Sequence, residues 1–316
     1  MRTLAGLMLL AAALLLVGCV GMVDFGDSEA YKEDFHSTYP LTAGSVSVET
    51  FNGSIELMGW EENSVEVNAT KYASTESGMH SIKIDVNATA GAVRVRATRP
   101  SDTFSHMGVR FTMRVPRKTL LELVSTSNGH LRIEDVEGRA RLRTSNGAIR
   151  INRLKGDVDA RTSNGAIEAD TLEGNAALHT SNGSIRVEAT HGTFEAGTSN
   201  GSINARLIDP ATNWPVRVES SNGHVELTLQ AKQLPEVRAS TSNSSLVLRL
   251  PAFSNARVRA YTSHSSVTSE FEDLRSEEPD SNRGRRKHSE LNGTIGSGGP
   301  LMDLSSSNGS IKILKL

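Results

Sequence analysis

Between residues 121 and 269 the chain repeats one short word at a near-constant spacing, and that period limits its fold more than any other feature. Asn128, Asn146, Asn164, Asn182 and Asn200 each sit in Thr-Ser-Asn-Gly and lie eighteen residues apart. Asn222 and Asn243 follow at spacings of twenty-two and twenty-one, and His264 fills the same slot twenty-one residues later. Asn308 closes the series, and Asn52 is an outlying early copy. A fixed period marks a supersecondary unit that buries its apolar face only by stacking on its neighbours.

Aligned on the asparagine, the position four residues earlier is always apolar, as in Val124, Leu142, Ala160 and Leu178. So is the position three residues later, as in Leu131, Ile149, Ile167 and Ile185. Polar residues fill the intervening positions, which is the period-two pattern of a half-buried strand. Each unit therefore holds two short strands and two turns. One turn is Ser-Asn-Gly and the other carries Gly138, Gly156, Gly174 or Gly192. Glycine is expected at these corners for its access to positive φ, which asparagine also tolerates.

Two all-β architectures fit. Asn-Gly between alternating strands is a hairpin signal and allows an antiparallel β meander. A β-solenoid of about ten short coils stacks equivalent residues about 4.8 Å apart, and lets asparagine amides bond from coil to coil. Only the solenoid gives Thr, Ser, Asn, Gly and Ile a reason to recur at matched positions. It is the predicted fold, with Asn128, Asn146, Asn164, Asn182, Asn200, Asn222 and Asn308 as structural corners. Aromatic residues make up only 4% of the chain, which suits a thin core.

The N-terminus reads as a targeting segment. An apolar run over 4–18 follows Met1-Arg2 and ends in Leu-Val-Gly-Cys. The run is short for a membrane span and suited to a signal peptide. Leu-Val-Gly-Cys resembles a bacterial lipoprotein cleavage box, which makes residues 1–18 the signal peptide and Cys19, the sole cysteine, the lipidated residue. The expected location is the cell envelope, lipid-anchored outside the cytoplasmic membrane, with Val20 compatible with outer-membrane sorting. Residues 19–42 read as lipidated Cys and polar tether, and 43–316 as the repeat domain. Within it fall N-terminal strands (43–120), tandem coils (121–269), a charged and Gly-rich insertion (270–300) and a final coil (301–316). The edge of that coil, at Ile311, Ile313 and Leu316, is expected to lie open to a partner strand.

Chemistry-bearing patterns are sparse. The nine histidines are scattered without ligand spacing, so no metal site and no cofactor are expected. No Gly-x-Ser-x-Gly elbow or phosphate-cradling loop occurs, and no catalytic residues are assigned. The outward acids Glu168, Asp170, Glu188 and Glu195 share columns with Arg150, Arg186 and Arg206, which reads as mixed-sign cross-strand pairing. A net charge of −2 gives no general attraction to nucleic acid. One wet face leans basic, through Arg141, Arg143, Arg161, Arg217, Arg238 and Arg259, and is a candidate surface for an anionic polymer. The run Arg-Gly-Arg-Arg-Lys-His (283–288) is a second basic candidate or a solvated loop.

The order of these segments resembles a known family. "VETFNGSIELMGWEENSVEV" (48–67), "FTMRVPRKTLLELVSTSNGHL" (111–131), the tandem coils and "SSNGSIKI" (305–312) are similar to the bacterial DUF4097 family, described as β-strand-repeat putative adhesins and related to toastrack domains. The likeness covers roughly residues 40–316. It implies a solenoid-like fold, exposure outside the membrane and an adhesion or envelope role, with no catalytic residues to carry over. Repeat and resemblance together predict a non-catalytic binding or scaffold module with an envelope protein or polysaccharide as partner. The alternatives are an accessory or sensor component of an envelope-stress system, and a polysaccharide-active β-helix enzyme.

Overall fold

The computed structural model describes residues 30–99, 106–274 and 289–316. The signal peptide, Cys19 and the basic run 283–288 therefore lie outside the described residues. Two sheets of thirteen strands each face one another. One is built from strands that precede the Asn-Gly corner, such as Ala140–Arg143, Val158–Arg161 and Ala176–His179. The other is built from strands that follow it, such as Ile149–Lys155, Ile167–Glu173 and Ile185–Thr190. From the Asn128 unit to the Asn243 unit, each repeat strand pairs in parallel with its equivalent in the next unit. That pairing is a solenoid and excludes the meander, in which neighbours would run antiparallel.

The register stacks like on like. Ile149 pairs with Leu131 and Ile167, and Leu142 with Val124 and Ala160. All the residues four before and three after the markers are buried. The core is thus a narrow seam of Ile, Leu, Val and Ala running the length of the molecule.

The post-corner strands also bend. Asp135, Arg153 and Thr171 take left-handed φ values of 57°, 53° and 59°. This bulge resets the alternation, so Val136, Leu154 and Leu172 turn inward as a third buried column. In the next two coils the left-handed residue moves to His191 and Asp209.

Spatial order departs from chain order at both ends. The Asn52 unit is no outlier: Ile55–Trp60 pairs with Leu131–Glu137, directly against the tandem coils. A further coil without an asparagine marker, Ala92–Thr98 and Met107–Pro116, lies outside it. The strand Ser64–Ala73 adds antiparallel to Met107–Pro116, and Tyr31–Pro40 adds to that. Residues 31–40, expected as tether, are therefore an edge strand. Tyr31, Phe35 and Tyr39 alternate along it and pack against the core, a pattern masked by the charged residues between them. Lys83–Ala88 caps the other sheet antiparallel, after a short helix, Glu76–Ser81, capped by Thr75.

At the far end the last unit in sequence is not the last in space. Leu301–Ser306 lies between Val237–Thr241 and Ala256–Thr262, and Ile311–Lys315 lies between Leu246–Leu250 and Val267–Ser269. Ile311 and Ile313 are interior, which overturns the expected open edge at these residues. Insertion pairs both rows of backbone groups of the final unit, whereas an end position would leave one row unpaired. Within the segment expected as an insertion, 270–300, Ser289–Ile295 is an antiparallel edge strand on Ala256–Thr262.

Candidate functional site

The repeated word is a two-way clamp between coils. In the Asn182 unit the Thr180 hydroxyl donates to the Gly165 carbonyl of the preceding coil at 2.9 Å and accepts from the Gly183 N–H at 3.2 Å. Thr126, Thr144, Thr162, Thr198, Thr241 and Thr262 make the same inter-coil bond at 2.9–3.0 Å. These hydroxyls are buried and would otherwise stand unpaired in the core.

The asparagines form a ladder. Each Nδ2 from Asn146 to Asn243 donates to the Oδ1 of the preceding marker, beginning at Asn128, and Asn308 donates to Asn243. Asn52 stands apart and donates to the Met107 carbonyl, while His264 meets the Ser307 carbonyl at 3.3 Å. The expected corners are thus brought into one column.

The glycine that follows has a different cause from the one expected. Gly147, Gly165, Gly183 and Gly201 do not have positive φ. A Cβ on any of them would lie within 1.9 Å of the glycine carbonyl oxygen one coil earlier. Close stacking excludes a side chain there. At the opposite corner the expectation holds: Gly156, Gly174 and Gly192 have φ of 139°, 136° and 91°.

All six arginines of the basic face lie on strands of the pre-corner sheet. Arg141, Arg217, Arg238 and Arg259 share one column, in which Asp159, Ala177 and Glu195 separate Arg141 from the other three, and Arg143 and Arg161 are neighbours in the next outward column. Arg143 and Arg161 both bond Asp159, Arg238 bonds Glu236, and Arg259 pairs with Asp303 at 2.7 Å. Burial opposes ionisation of Asp159, but the hydrogen bond and charge of Arg143, with Arg161, outweigh it and hold its pKa below the ordinary value. Arg141 and Arg217 make no ion pair among the described residues. The exposed hydroxyls of Ser127, Ser145, Ser163 and Ser181 line a groove with Arg143, Arg161 and His179.

The post-corner face carries Glu168, Asp170 and Glu188 in a shallow trough of 680 Å³ with Arg132, Arg150, Arg186 and Arg206, whereas Glu195 lies on the pre-corner sheet in register with Arg217 and not in these columns as expected. Arg150 meets Glu168 at 3.1 Å and Arg206 meets Glu188 at 3.7 Å, so mixed-sign pairing runs across the coils. At the bulge, Arg153 bonds Asp135 at 2.6 Å and Glu134 at 2.8 Å, and Arg117 lies 3.7 Å from Asp135. The Arg153 hydrogen bond holds the Asp135 carboxyl below its usual range. Among the described residues no group of three or more His, Cys, Asp or Glu is placed to hold a metal ion.

Two features escaped the sequence reading. Asp159, beside Arg141 in the outward column, proves to be the carboxylate shared by Arg143 and Arg161. Trp214 is 64% exposed on the 209–215 loop that lengthens the Asn222 unit. The twenty-two-residue spacing and Asn213-Trp214-Pro215 were its available signals.

No family model matches the chain, and no curated protein matches it. Solved structures similar to it include a putative adhesin from Parabacteroides distasonis, at 9% identity and TM-score 0.41, over 89% of this chain and 97% of that one. A putative adhesin from Bacteroides fragilis matches at 12% identity and TM-score 0.34, over 89% and 97%. A putative cell adhesion protein from Clostridium sporogenes matches at 11% and 0.22, over 90% and 100%. At these scores the likeness carries no argument about the site.

Proposed function

We propose that the protein is a cell-envelope lipoprotein, anchored through Cys19, that acts as a non-catalytic binding or scaffold module of the DUF4097 adhesin type. The observation that supports this reading most is the regular outer surface. Polar side chains stand in columns about 4.8 Å apart on a frame clamped by the threonine and asparagine bonds. A stiff surface of that kind holds many weak contacts at fixed spacing, and multivalency supplies the strength. The ion pairs along both faces favour display over chemistry, because they occupy carboxylates that a hydrolase would keep poised.

In-cell crosslinking of the tagged protein, with copurified material identified, is the test. Envelope polysaccharide, or many partners without a dominant one, is the expected outcome. A single dominant protein partner would replace this reading with an accessory role in an envelope-stress system. Palmitate labelling tests the anchor: Cys19→Ser should abolish incorporation, and persistent labelling would remove Cys19 from the account.

A further inference from the structure

The Asn222 unit breaks the period at one place. At Gly156 and at Gly174 successive strands are joined by two residues, but Ile203–Ile208 and Val216–Ser220 are joined by the seven residues 209–215. Corner geometry does not require the extra length, since the same fold closes the corner with two. What the loop adds is Trp214, exposed and followed by Pro215, which restricts its backbone to extended conformations.

Trp214 stands at the end of a trough on the pre-corner face. Two adjoining depressions of 300 and 280 Å³ share Asn175, Thr193 and Glu195. Along one side the polar groups are already fixed. Thr193 donates from both N–H and hydroxyl to Asn175 Oδ1, Asn175 Nδ2 donates to Asp157 at 2.9 Å, and Arg139 meets Asp157 at 3.3 Å. The small side chain of Ala177 lies between Asp159 and Glu195 in the outward column, which leaves the trough open there. Arg217, the neighbour of Glu195 in register, reaches the trough beside Trp214.

We propose that this trough binds an extended β-1,4-linked oligosaccharide, with one sugar ring stacked on Trp214 and its hydroxyls bonded by Glu195, Arg217 and Asn175. The apolar C–H face of a pyranose complements the negative face of an indole ring. The Glu195 carboxylate and the Arg217 guanidinium can each bond two neighbouring hydroxyls, and Asn175 has one N–H left to donate. An extended β-1,4 chain is a straight ribbon whose alternate rings are turned over, so it can lie along the column of coils, which are about 4.8 Å apart, and present the same edge at every second ring. The trough sets Arg139, Arg141 and Arg217 against Asp157, Asp159 and Glu195, so it offers no net positive charge to select a polyanion. A protein partner would seek further apolar anchors around the tryptophan, and no other exposed large apolar side chain lines either depression.

This assignment rests on the binding-module reading and names a ligand class for it. The test is titration of the purified full-length protein, in a non-glycosidic detergent, with cellopentaose and chitopentaose. Maltopentaose and a heparin octasaccharide are the comparison probes, and tryptophan fluorescence and calorimetry are the readouts. The Trp60→Phe variant isolates the Trp214 signal. The expected result is saturable binding of a β-1,4 pentasaccharide, tighter than that of cellobiose or chitobiose titrated in the same way. Trp214→Ala should weaken it by about ten-fold, and Trp214→Phe should restore part of the loss. Absence of binding by both β-1,4 probes, equal binding of maltopentaose, binding of heparin alone, or affinity unchanged in Trp214→Ala would each overturn the assignment. Crosslinked envelope partners that persist in Trp214→Ala cells would leave the module reading standing without this site.

Discussion

A threonine hydroxyl in this molecule serves two backbone groups at once, and that sets the cost of losing it. Thr180→Val keeps the side-chain volume but leaves the Gly165 carbonyl and the Gly183 N–H without their partner. The expected loss is about 1–3 kcal/mol, read from urea unfolding at unchanged m-value. Gly183→Ala should cost more, above about 3 kcal/mol, because its Cβ would meet the Gly165 carbonyl oxygen at 1.9 Å. A mild effect would mean that the coils separate more easily than their pairing implies. Asp135 gives a pH-dependent case. Its folded pKa is lowered, first by the Arg153 hydrogen bond, so its contribution is present above the unfolded value of about 3.9 and lost as pH falls through the folded value. The stability gap between wild type and Asp135→Asn should be widest near neutrality, begin to shrink below about pH 4, and close as Asp135 protonates. Urea midpoints across pH 2–7 would show it, and a gap that grows on acidification would refute it.

At the scale of the element, the asparagine ladder behaves as a chain of nearest-neighbour terms. Asn164 sits inside it, donating to Asn146 and accepting from Asn182, whereas Asn128 only accepts. Asn164→Ala should therefore cost about twice as much as Asn128→Ala, with each lost bond worth about 0.5–1.5 kcal/mol. Thermal melts of the two variants decide this, and equal losses would mean that the amide bonds contribute little beyond those each residue makes with water. The strands themselves were legible. The alternation around each marker named the buried columns, because side-chain direction in a strand follows from period two. The bulge was not legible. Asp135, Arg153 and Thr171 take left-handed φ with no glycine or asparagine among them, so composition offered no consistent signal.

For the molecule as a whole, the interleaved ends matter most. The final unit pairs on both sides, so removing residues 301–316 should do more than shorten the rod. It takes Leu301–Ser306 and Ile311–Lys315 from between two coils and strips Ala256–Thr262 of its parallel neighbour. The truncated chain is expected to lose order back to about Leu250, detected as protease cleavage between 251 and 300, while the Asn128–Asn243 coils stay protected. Resistance of that segment would show that the coil marked by His264 docks without the inserted unit.

The sequence alone determined the coil: its length, its two strands, its buried columns, and the asparagine and threonine stacks. Those properties are local and repeated, and ten near-copies of one pattern leave one way to superpose them. Only the tertiary structure decided which coil lies beside which at the two ends, because the backbone edge of a parallel strand is nearly the same for every unit and carries little address. It likewise decided that Tyr31–Pro40 joins a sheet and that the marker glycine answers to a carbonyl one coil away. It also showed which arginines already hold a carboxylate. Each of these depends on a neighbour distant in sequence, and residue type at one position does not specify that neighbour.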